Sequence, residues 1–105
     1  MGVTGYVVLM LEFRRAGRRW TAYCKELGTA TFGRSLPEAD KRIKEAVLLH
    51  INTLEDVGER QRFFRENNIE FHHTRPRKNI TVCVSSRTST FIEPHVQRLP
   101  KASAA

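Results

Sequence analysis

The stretch Thr29-Ala-Thr-Phe-Gly-Arg-Ser-Leu-Pro-Glu-Ala-Asp-Lys-Arg-Ile-Lys-Glu-Ala-Val47 carries the change from strand to helix on which the fold turns. Thr29 to Gly33 reads as a short strand closed by a glycine. Ser35 and Glu38 then stand at the Ser-x-x-Glu spacing of a capping box, whose side chains satisfy amide donors that a helix start leaves without partners. Pro37 falls in the first turn, where its missing N–H costs nothing. From Leu36 to Asn52 or a little beyond, a period of roughly 100° per residue puts Leu36, Ala39, Ile43, Ala46, Val47, His50 and Leu54 on one face. Lys41, Arg42, Lys44 and Glu45 lie mostly away from it, Leu48 points roughly opposite, and Leu49 sits on a flank.

Upstream, Tyr6 to Phe13 alternates as a strand, with Val7, Leu9, Leu11 and Phe13 on one face. The other face carries Tyr6, Val8 and Met10 before Glu12, so it too is apolar and implies a central strand or one covered by a partner. Arg14 to Arg19 reads as a hairpin turn around Gly17. Trp20 to Cys24 returns antiparallel with Trp20, Ala22 and Cys24 on one face, and Leu27-Gly28 turns the chain into the Thr29 strand.

Downstream, Gly58 ends or kinks the helix, and Glu59 to Asn67 makes a second, short one with Phe63 and Phe64 available to the core. Asn67-Asn68 suits a left-handed cap. Ile69 to Phe71 begins a fourth strand, and Asn79 to Val84 alternates as another. Thr90 to Ile92 is a last strand, stopped by Pro94. The expected architecture is α+β: a two-layer sandwich in the antiparallel order β-β-β-α-(α)-β with extra C-terminal strands. Residues 1–100 form one domain, and residues 101–105 a disordered tail.

Composition sets the classes of function. The chain is 40% hydrophobic and 28% charged, as ordinary globular chains are. Its longest apolar run, Tyr6 to Leu11, is too short to span a bilayer, and no basic flank or cleavage pattern accompanies it, so the expected address is cytoplasmic, without membrane association. The net charge of +7 is unevenly placed. Residues 1–35 carry six Lys/Arg against two acids, residues 36–70 six against eight, and residues 71–105 six against one. Two basic ends around a mildly acidic middle point to an anionic partner.

Catalytic patterns are missing from the sequence. Cys24 and Cys83 form no metal spacing and read as buried apolar residues. His50, His72, His73 and His95 make no zinc motif, and His50 reads as a hydrogen-bonded structural histidine. Glu12 and Glu26 are the only acids of the first strands, too few for two-metal nuclease chemistry. No phosphate-cradling glycine loop and no nucleophile elbow occur. No catalytic, metal-binding or cofactor-binding residue is therefore assigned, and the chain reads as non-enzymatic. The basic clusters, Arg14, Arg15, Arg18 and Arg19 in the hairpin and Arg75, Arg77 and Lys78 in the later loop, suit phosphates or carboxylates, or simply dress the surface. Trp20 and Tyr23 beside the first cluster can stack on bases, although Trp20 is also a core anchor.

From Trp20 onward the chain resembles the N-terminal domain of HicB-type antitoxins. The likeness lies in Leu27-Gly28, the small-residue strand Ala30 to Gly33, Ser35, Glu38-Ala39 and Glu45-Ala46, and continues from Leu54 to Ile69 as in solitary HicB-like proteins. It spans roughly residues 6 to 70. The resemblance implies a catalytically empty, partial ribonuclease H-like fold that self-associates or covers a small, basic HicA-type ribonuclease. The DNA-binding unit that many members carry has no counterpart here, because Pro94 and Pro100 interrupt the sequence after Asn79. The reading is thus a protein-binding HicB-like chain, most simply a homodimer, touching its partner through Tyr6, Val8, Met10 and Leu48. The alternative is a small RNA- or DNA-binding module that uses the arginine hairpin.

Overall fold

The computed structural model describes residues 5–76 and 90–99. They form an α+β fold: a five-stranded antiparallel sheet with two helices. The elements are β1 (Gly5–Ala16), β2 (Arg19–Cys24), β3 (Thr29–Gly33), α1 (Leu36–Asp56), α2 (Arg60–Glu66), β4 (Phe71–His72) and β5 (Thr90–Leu99). The Asn79 to Val84 strand and the 101–105 tail lie outside the described residues.

β1 is the central strand. Its Leu11–Ala16 half pairs with β2, which pairs in turn with β3. β5 runs along the opposite edge from Gly5 to Arg14. Because Tyr6 and Val7 pair with both β5 and β4, β4 must lie on the β2 edge. The gap there between β2 and β4 is filled by Glu26, whose two carboxylate oxygens accept from the Met10 N–H at 3.0 Å each.

Alternation sorts β1 as its sequence requires. Val7, Leu9, Leu11 and Phe13 are buried, and they form one core with Ala22, Cys24, Ala39, Ile43, Val47, Ile51, Phe64, Ile69 and Leu99. Fully burying a Val or Ile side chain is worth about 1.5–3 kcal/mol. The exposed ion pairs along α1, Arg42–Glu38 at 3.2 Å and Lys44–Asp40 at 2.9 Å, contribute only about 0.5 kcal/mol each. Burial therefore seats the helix, and charge does not. Ser35 caps it: Oγ accepts from the Glu38 N–H at 3.2 Å, while Glu38 reaches back to the Arg34 N–H at 3.4 Å, one residue earlier than in the standard box. Among the described residues, no helix is long and apolar enough to cross a membrane.

Three expectations are corrected. The hairpin turn is only Gly17-Arg18, with Gly17 at φ 63, so Arg14, Arg15 and Arg19 belong to strands. The buried row of α1 is Ala39, Ile43, Val47 and Ile51, whereas Ala46, His50 and Leu54 are half-buried on its flank. Pro94 does not stop the last strand, which runs through it to Leu99. Pro94 faces Met10, whose N–H points to the other edge at Glu26. That pair exchanges no hydrogen bonds, so the missing proline N–H falls on the outer edge of β5 and breaks nothing in the sheet.

Gly33 marks the closest approach of strand and helix. A Cβ there would lie 2.5 Å from the Ala39 nitrogen and 3.0 Å from its Cα. Gly33→Ala should cost about 1–3 kcal/mol as an overpacking change, measured by urea denaturation. Burial pushes the Cys24 thiol up from 9.0 to about 11. Native protein at pH 8 should therefore resist thiol reagents that label it once unfolded. The proton held by the folded state stabilises it below pH 9, and that contribution should disappear as pH rises from about 9 to about 11. A smaller loss of stability over that window in wild type than in Cys24→Ala would contradict it.

Candidate functional site

Alternation places Tyr6, Val8, Met10, Glu12 and Arg14 of β1 on the sheet face opposite the core, with Tyr23, Thr21 and Arg19 of β2 and Ala30 and Phe32 of β3. Large apolar side chains stand open on it: Phe32 is 53% exposed, Tyr23 41% and Met10 38%. Tyr6 and Val8 are half-buried. Arginines edge this surface. Arg14 pairs with Glu12 at 3.3 Å, the Arg19 guanidinium stands 5.5 Å from the Phe32 ring, and Arg75 stands 6.0 Å from the Tyr6 ring.

At the β3 corner the chain builds a cleft of about 160 Å3 from Arg19, Phe32, Arg34, Glu38 and Arg42. The turn from β3 into α1 sets it. Arg34 follows the strand, and one turn of helix brings Glu38 and Arg42 back over the strand end. Arg42 Nη1 donates to the Phe32 carbonyl at 3.1 Å, and Nη2 pairs with Glu38. Three guanidiniums against one carboxylate leave the corner cationic. The volume is below that of a small-molecule pocket, which starts at about 300 Å3. It suits one anionic group held at the surface.

A larger cleft, about 300 Å3, lies between the start of α1 and β5 and is lined by Phe13, Leu36, Pro37, Asp40, Lys44, Phe91 and Glu93. Its floor is the Phe13–Phe91 stack at 5.1 Å, which Trp20 joins edge-on. Lys44 neutralises Asp40 across it. The lining is thus an apolar floor with Asp40, Lys44 and Glu93 among its other residues.

The two arginine clusters of the sequence come apart. Arg14 and Arg19 lie on the open face, whereas Arg15 bonds the Gly17 carbonyl at 3.2 Å and Arg18 occupies the turn. Arg75 is at the far end beside Tyr6, and Arg77 and Lys78 lie outside the described residues. Leu48, 39% exposed, sits on α1 with its neighbour Leu49, 68% exposed. His50 bonds Thr29 at 2.9 Å and lies against Phe63, tying helix to strand. His73 stands edge-on to Phe71. Among the described residues, no group of three or more His, Cys, Asp or Glu side chains could hold a metal ion.

Sequence reasoning missed Arg34 and Arg42, because their convergence with Arg19 requires knowing where α1 begins relative to β3. It also missed the buried ion pair of Arg60, 5% exposed, with Glu55 at 3.2 Å. No family model, curated protein or solved structure matches this chain.

Arg60 Nε faces Glu55 across the α1–α2 junction, and the Glu59 N–H bonds the Leu54 carbonyl there at 2.8 Å. This pair is structural. Arg60→Ala should lose about 3–5 kcal/mol because it removes one member of a buried ion pair, and Arg60→Met together with Glu55→Leu should lose much less. Denaturant melts of the three proteins check it.

Proposed function

We propose that this chain is a non-enzymatic, HicB-like protein that acts by binding another protein, as a homodimer in the first instance. The observation that carries the reading is the pair Leu48 and Leu49, which α1 leaves exposed on the side away from its buried row. The buried row of the helix is Ala39, Ile43, Val47 and Ile51, and these leucines stand outside it. A second copy covering them would bury what remains exposed of two large side chains, at about 25 cal/mol per Å2 of apolar surface. Tyr6, Val8 and Met10 on the open sheet face are the other contact surface in this reading. The partial ribonuclease H-like fold and the antitoxin-like neutralisation of a small, basic HicA-type ribonuclease belong to the same proposal. The acidic excess of residues 36–70 supports docking of such a partner.

A second reading, a small basic RNA- or DNA-binding module, is favoured by one observation. Arg19, Arg34 and Arg42 line one cleft with the exposed Phe32, whose ring the Arg19 guanidinium approaches to 5.5 Å.

Size-exclusion chromatography with light scattering tests the first reading. The wild-type chain should run as a dimer at tens of micromolar, and Leu48→Arg should weaken it by about 3–5 kcal/mol, the cost of an unpaired buried charge. A dimer lost with Met10→Asp but kept with Leu48→Arg moves the contact to the sheet. A wild-type monomer at high micromolar concentration removes the homodimer.

A further inference from the structure

The open corner of β3 combines two properties that rarely serve one another in a folded core. Among the described residues, Phe32 is the most exposed aromatic side chain of the sheet, at 53%. Its ring is flanked by cations, with Arg19 at 5.5 Å and Arg34 and Arg42 lining the same cleft. Arg42 is held in place by the Phe32 carbonyl and Glu38, and Glu38 is the only acid among the described residues of the cleft. The guanidiniums of Arg19 and Arg34 form no ion pair among the described residues.

Register extends the site across the sheet. Phe32 faces Thr21 and Ala30 faces Tyr23, so the Phe32 and Tyr23 rings are diagonal neighbours on one face. Diagonal positions stand about 7–8 Å apart. Arg14 follows on β1 opposite Thr21. Two exposed rings on one diagonal, with the Arg19 guanidinium beside Phe32 and Arg14 beyond Thr21 on β1, suit a single nucleic-acid strand, which presents flat bases beside phosphates.

We infer that Phe32 and Tyr23 form a stacking platform for single-stranded nucleic acid, whose phosphates are taken by Arg19 and Arg34. The inference rests on the nucleic-acid reading and narrows it to the strand form and to the residues that hold it. Duplexes cannot use the platform, because their bases are already stacked on one another. Arg42 acts as a positioning residue, which fixes the strand end under Phe32. Stacking is sequence-tolerant, so the site selects for unpaired strands and not for a base order.

Fluorescence anisotropy of the full chain with labelled ten-nucleotide oligo-dT, oligo-U and a ten-base-pair duplex tests this, from 50 to 200 mM salt. Both single strands should bind more tightly than the duplex, and a difference between the two would assign DNA or RNA. Phe32→Leu, which keeps an apolar side chain on the strand, should weaken single-strand binding roughly 5- to 150-fold. Phe32→Trp should bind at least as well as wild type. Arg19→Ala with Arg34→Ala should flatten the dependence of log K on log salt by about 1.4, because two phosphates are no longer neutralised. Thermal melts of each variant separate loss of the site from loss of the fold. Absence of binding to any of the three probes at 50 mM salt overturns the nucleic-acid reading itself. Binding that Phe32→Leu and Tyr23→Leu leave unchanged, or that favours the duplex, overturns the platform while leaving electrostatic attraction in place.

Discussion

The fold depends on the seating of α1 against the inner face of the sheet. Ala39, Ile43, Val47 and Ile51 recur every fourth residue and meet Leu9, Leu11, Phe13, Ala22 and Cys24 in one apolar layer. That contact needs the helix to begin immediately beside the strand that leads into it. Gly33 permits the approach because any side chain would strike the backbone of Ala39. Ser35 stabilises the abrupt start by giving the Glu38 N–H a partner. A cap is worth about 1 kcal/mol and each buried aliphatic more, so the cap decides where the helix starts and burial decides that it stays.

The same constraint sets the chemistry of the surface. With α1 beginning at Leu36, Arg34, Glu38 and Arg42 project along the edge of β3 and meet Arg19 from the neighbouring strand. The corner is cationic because the strand-to-helix turn sets Arg34 and Arg42 beside Arg19 of β2 in one cleft. Neither the cleft nor the exposed Phe32 is needed for the core, which lies on the other face of the sheet.

What the sequence reveals is what local backbone physics decides. The alternation from Val7 to Phe13, the cap at Ser35, and a left-handed residue at Asn68, with φ 56, each follow from residues close in the chain. Apart from the length of the hairpin turn, the errors are non-local. Pro94 ends a strand only if its missing N–H faces a partner, and that depends on an edge which pairing across the sheet assigns. His50 and Leu54 share an average helical face with Ile43 and Val47, yet the sheet selects the narrower row that ends at Ile51. Arg60 is buried because the junction between α1 and α2 sets it against Glu55 of α1.

The arginines show most directly how sequence proximity misleads. Four of them between Arg14 and Arg19 look like one basic patch. Period two divides them: Arg14 and Arg19 go to the open face, Arg15 toward the helix side, and Arg18 to the turn tip. A patch on a sheet is assembled across strands, so its members come from registers and turns, as Arg19, Arg34 and Arg42 do. The helix-side contact and the stacking platform therefore lie on different surfaces, whereas the Tyr6, Val8 and Met10 contact would share the sheet face with Tyr23 and Phe32. The leucines Leu48 and Leu49 face outward from the helical layer, whereas Phe32 and Tyr23 face outward from the sheet. A two-layer fold has two outer sides, and a chain joined to a second copy through its helices would present two cationic sheet corners, so one strand long enough to reach both would be held with a raised effective concentration.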